Sequence, residues 1–157
     1  MTVLTELAAG RQLVDREFFA RLSARIAAAH PVHAQLADRI ADQTLAYLAA
    51  CAQRAPGSGT LSPAPLVDLG WHAFLEYTLA YDAFFQAHGW AKVHHYPHDV
   101  PGRVYEPASV VLERTRRAIE HVGLRVDAEL WEADRVSCGG DDSDGKPGDP
   151  LPCGDHG

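Results

Sequence analysis

The stretch from Leu66 to Gly89, LVDLGWHAFLEYTLAYDAFFQAHG, constrains the fold more than any other part of this chain. Wound as a helix, it gathers Asp68, His72, Glu76, Asp82 and Gln86 into one polar stripe roughly 120° wide. The remaining faces carry Leu, Val, Trp, Phe, Tyr and Ala. A helix that apolar must be covered on several sides. Only other helices are on offer, because no segment shows sustained period-two alternation. The expected fold class is therefore all-α, a compact bundle of about four helices.

The partners are legible by the same periodicity. Phe18, Phe19, Leu22 and Ile26 recur at helical spacing from Asp15 until His30-Pro31, where proline disfavours a helical residue before it. Leu36, Ile40, Tyr47, Leu48 and Cys51 form a second stripe, which the Gly/Pro/Ser-rich RAPGSGTLSPAP ends. The third helix is expected to start at an N-capping Ser62 with Pro63 in its first turn. It should run unbroken to His88, with Gly89 at the left-handed C′ position, and be the most buried of the set. A fourth, from Pro107 to Val122, aligns Val111, Thr115, Ile119 and Val122 and stops at Gly123; Asp127 to Trp131 supplies one last turn.

From Ser137 the chain reads SCGGDDSDGKPGDPLPCGDHG, with nothing periodic to bury. The expected organisation is a helical domain over 1–136 and a disordered tail over 137–157. Five Asp and one Lys give that tail −4 of the net −7, leaving −3 on the body. No Lys/Arg cluster offsets this acidity, which argues against nucleic acid as a partner. No apolar run is long enough to span a membrane, and the first residues lack the features of a secretory signal. A cytoplasmic protein with a small-molecule or protein partner is expected. In a reducing cytoplasm three cysteines are not a disulfide framework, so Cys51 reads as a small buried hydrophobe, with Cys138 and Cys153 in the tail.

Chemistry concentrates around the third helix. Asp68 and His72 are four apart, which puts a carboxylate and an imidazole together on one turn. After a short GWAKV connection comes His94-His95-Tyr96-Pro97-His98, close enough to fold back over the polar stripe. Asp68, His72, His94 and His95 are the candidate metal ligands. Imidazole and carboxylate donors suit Zn or Fe, and the lack of nearby thiols argues against a Cys-type structural zinc site. Such a set leaves a coordination position open, as a catalytic metal requires. The plainer reading is that a polar stripe is simply what a core helix shows to water. Trp71, Phe74, Tyr81, Phe84 and Phe85 read as core rather than a cofactor cavity, and His30, His33 and His121 as structural. No nucleophile elbow or phosphate loop is present, so no catalytic residue is assigned.

The positions Val67, Asp68, Trp71, His72, Thr78, Tyr81, His94, His95 and Pro97 make a pattern VD-x-x-WH, T-x-x-Y, HH-x-P. It resembles the signature of small bacterial proteins grouped as similar to the glycine-rich domain-containing proteins of plants. The resemblance covers about a fifth of the chain and implies a shared helical domain and polar cluster, not an activity. In those proteins the tail cysteines sit close together, whereas Cys138 and Cys153 are far apart here.

Three readings of function stand at this point. One is a metal-binding helical domain. Another is a non-catalytic interaction or scaffold protein in which His72 hydrogen-bonds to the loop while Trp71 and Pro97 pack beneath. The last is a carrier whose Cys-containing tail is modified.

Overall fold

The computed structural model describes residues 6–96, 101–102 and 104–132. These fold into α1 (Arg16–Ala29), α2 (Ala37–Gln53), α3 (Pro65–Leu75), α4 (Thr78–His88) and α5 (Ala108–His121). Short 3₁₀ turns lie at Gly10–Leu13, Pro31–Leu36 and Ala128–Trp131. Among the described residues there is no strand. A parallel bridge joins Ala8 to Leu124, with the Ala8 N–H 2.9 Å from the Gly123 carbonyl and the Arg125 N–H 2.8 Å from the Ala8 carbonyl. The all-α expectation is met. The boundary expected at 136/137, the tail and its cysteines Cys138 and Cys153, and Pro97 and His98 lie outside the described residues.

Local chemistry explains most of the helix ends. Asp15 Oδ1 accepts the Phe18 N–H at 2.7 Å and caps α1, and Gly123, at φ 82°, takes the left-handed turn after α5. The Ser62 cap is corrected. Its N–H is instead donated to the buried Thr115 Oγ1 at 3.1 Å, and α3 starts at Pro65. Residues 61–64 are buried, and the Ser62 bond to α5 anchors this segment before the helix begins.

The most buried helix is α2, not the one carrying the histidines. Every residue from Ile40 to Cys51 is buried, because α1, α3 and α5 all pack on this helix and its alanines let them approach. Its polar residues are satisfied inside the protein. The Gln43 amide oxygen accepts from the Asp127 N–H (3.1 Å) and Trp131 Nε1 (2.8 Å), while its nitrogen donates to Asp42 Oδ2 and the Arg125 carbonyl. One side chain thus pins the segment after α5 to the core. Cys51 is buried as expected, but its sulfur is disulfide-bonded rather than a thiol, which corrects its reading as a simple hydrophobe.

The expected long third helix is two helices. Tyr77 leaves the helical region, at φ −91° and ψ 64°, and α4 starts anew at Thr78. The reason is tertiary. Trp71 Nε1 donates to Tyr81 Oη at 3.0 Å, yet on a straight helix ten residues advance about 15 Å, beyond what the two side chains bridge. The Tyr77 ring meets Phe18 edge-on at 5.6 Å and holds the corner.

Two outcomes follow from this packing. A Cβ at Gly70 would lie 2.1 Å from Thr44 Oγ1 and 2.9 Å from Ile40 Cγ2, inside the α2–α3 contact. Gly70→Ala should therefore cost about 1–3 kcal/mol in urea unfolding followed by circular dichroism; an unchanged midpoint would contradict this close approach. The second concerns acid. Arg39 grips Asp127 through Nε (2.6 Å) and Nη2 (2.8 Å), and this hydrogen-bonded pairing holds the Asp127 carboxyl below its ordinary value against the opposing effect of burial. A depressed folded-state value means the pair's stabilisation is present above the ordinary carboxylate range, near pH 4, and fades as pH falls through the lower folded value. Asp127→Asn should cost about 1–2 kcal/mol at pH 7, and the gap from wild type should close by about pH 2.

Candidate metal centre

Asp68 stands in the first turn of α3 and His72 in its last. Asp68 is on the end its charge favours, since helix N-termini attract carboxylates. His95 arrives from the other side. Gly89, at φ 68°, ends α4, and the Trp90 N–H closes the turn on the Phe85 carbonyl at 2.9 Å. The His88 ring stacks on Trp90 at 4.4 Å, and its Nε2 lies 2.8 Å from the Leu13 carbonyl. The chain then runs back beside α4. Lys92 Nζ meets Asp82 Oδ1 at 2.8 Å, and the carbonyl of buried Val93 accepts from Tyr81 Oη at 2.6 Å. The relay from Trp71 through Tyr81 to Val93 therefore fixes where His95 sits.

There, His95 Nε2 lies 2.8 Å from His72 Nε2 and 3.6 Å from Asp68 Oδ1, while His72 Nε2 is 3.5 Å from Asp68 Oδ2. One donor atom from each residue falls within 4.8 Å of the others. Donors around a tetrahedral zinc at 2.0–2.1 Å stand roughly 3.3 Å apart, so the set needs only a small opening between the imidazoles to hold such an ion. The centre is shielded on one side and open on the other. The side chains of Asp68 and His95 are 19% and 17% exposed, that of His72 51%, and Asp68 Oδ1 is sealed from solvent. The Trp71 ring lies 4.6 Å from the His95 ring and forms the floor. Burial pushes His95 below its ordinary imidazole value; the Asp68 carboxylate opposes this, and the facing His72 adds to it. The neutral form favoured by burial is the one that carries a lone pair for a metal.

Of the four ligands expected from the sequence, three converge. His94 is exposed and stands outside the group. The rest of the polar stripe has other partners or faces water: Glu76 pairs with Arg25, Asp82 with Lys92, and Gln86 is exposed. Trp71, Phe74, Tyr81, Phe84 and Phe85 are core, as expected, and most of their ring contacts are edge-on. Sequence reasoning missed that Tyr81 is a positioning residue for His95. The signal was available, since a tyrosine and a tryptophan in one core helix each need a partner for a polar atom.

Comparison of the chain with protein-family models, curated proteins and solved structures yields no match. No helix among the described residues is long and apolar enough to cross a membrane.

Tyr81→Phe should leave the Trp71 N–H and the Val93 carbonyl buried without their hydroxyl partner. The expected cost is about 1–3 kcal/mol, with a chemical-shift change at the His95 ring in NMR spectra. A His95 signal that stays put would show that the relay does not position it.

Proposed function

We propose that this protein is a small metal-binding helical domain in which Asp68, His72 and His95 hold one divalent ion, zinc or ferrous iron. The observation that carries the reading is the convergence of two imidazole nitrogens and a carboxylate, delivered by two separate segments, on one partly shielded point. Two histidines with one carboxylate form a donor set used by catalytic zinc and by non-haem iron alike, and it leaves coordination positions open. When bound, such an ion supplies Lewis-acid chemistry and lowers the pKa of bound water. The chain's own part is positioning. α3 presents Asp68 and His72 on adjacent turns, the Tyr81–Val93 bond holds His95 against them, and Trp71 keeps water from the floor. The resemblance of the VD-x-x-WH and HH-x-P motifs to a bacterial family supports a shared polar cluster.

A second reading draws on the 2.8 Å separation of the two imidazole nitrogens, which is itself a hydrogen-bond distance. On that reading one ring donates to the other, and His72 is a lock between α3 and the returning chain.

Metal content of the tagless protein decides between them. About one equivalent of zinc or iron is expected, reduced to near zero in His72→Ala and His95→Ala. Because an ion that binds only the folded state stabilises it, saturation at about a hundred times Kd should add about 2.7 kcal/mol, reversed by a chelator. A metal-free wild type, with a His72→Ala loss identical with and without chelator, would establish the lock instead.

A further inference from the structure

Beside His95 lies a depression of about 440 Å³, walled by Thr78 and Asp82 from α4, by Lys92, His94 and His95 from the returning chain, and by Leu75 at the end of α3. His95 belongs to both this hollow and the Asp68–His72–His95 group, so the two share a wall. We propose that the depression is the ligand cleft of the metal centre and that it takes a small organic carboxylate bearing a second oxygen donor. This rests on the metal-binding reading above.

The size fits, since pockets for small molecules begin at a few hundred Å³. The charge fits too. Lys92 is the ammonium in the wall, and its bond to Asp82 Oδ1 uses one of its three N–H donors. Both members of that pair are close to half exposed, and an exposed ion pair is weak enough to accept a new partner. A single carboxylate brings one negative charge to one ammonium. A doubly charged phosphate would bring an excess against Asp82, with the Asp68 carboxylate at the other end. Lys92 and His95 are three residues apart in a non-helical stretch, or roughly 10 Å of backbone. With the flexible lysine stem, a ligand of a few carbons is long enough to reach from the ammonium to the His95 wall that the depression shares with the Asp68–His72–His95 group. Leu75 supplies an apolar surface for its methylenes.

The test uses the full-length protein, cobalt(II) as the probe metal and the monoanion 4-hydroxybutyrate as the probe ligand, read by the visible absorption of the cobalt protein. Saturable spectral change on adding 4-hydroxybutyrate is expected. Lys92→Gln should weaken its binding about tenfold or more with cobalt affinity unchanged, and Lys92→Arg should restore most of it. Cobalt binding with no response to 4-hydroxybutyrate, or with equal responses in wild type and Lys92→Gln, overturns the cleft and leaves the metal centre standing. Phosphate displacing 4-hydroxybutyrate at equal concentration overturns the carboxylate assignment. Failure of the wild type to bind cobalt overturns both readings together.

Discussion

The hydrogen bond from Trp71 Nε1 to Tyr81 Oη organises this molecule. It joins residues ten apart in a stretch whose composition favours one continuous helix, and a straight helix cannot make it. The break at Tyr77 is the consequence, and it turns α4 back so that the Tyr81 hydroxyl reaches the Val93 carbonyl. That second bond brings the returning chain against α3 and puts His95 beside His72 and Asp68. The tyrosine hydroxyl is thus the joint between the core and the candidate centre, and its burial, which pushes its pKa up, keeps the proton in place.

The helix that carries the candidate ligands is not the centre of the bundle, and this matters for its chemistry. The centre is α2, whose polar residues are consumed in internal bonds that fasten the N-terminal turn and the segment after α5. α3 packs on it through Gly70 and is left with one face free. Asp68 and His72 occupy that free face, over an aromatic floor and under a single covering segment. A site so placed combines partial desolvation, which strengthens charge interactions, with access from solution.

Two imidazoles and a carboxylate within hydrogen-bonding range of one another serve either as a latch or as a metal site, and the physics differs in one respect. A latch needs a proton shared between the two nitrogens. A metal needs both nitrogens as lone-pair donors. Burial of His95 favours its neutral form, which is compatible with both, so metal content separates the two readings where geometry does not.

Helical periodicity determined the all-α class, the stripe Phe18, Phe19, Leu22 and Ile26, the stop at His30-Pro31, and the glycines that close α4 and α5. These are local effects, set by backbone sterics and by which side chains share a face. The i, i+4 pair Asp68/His72 was legible for the same reason, as was the nearness of the His94-His95 segment, because a short connection leaves little room to go elsewhere. The choice of His95 over His94 was decided by the Tyr81–Val93 bond, which no spacing rule encodes. The helix break at Tyr77 was settled by the Trp71–Tyr81 bond together with the contact to Phe18, and the start of α3 at Pro65 rather than Ser62 and the burial of α2 by partners distant in sequence, Thr115 and Trp131. A polar atom takes its partner from whatever the packed fold brings within 3 Å, and that information lies in the tertiary structure alone.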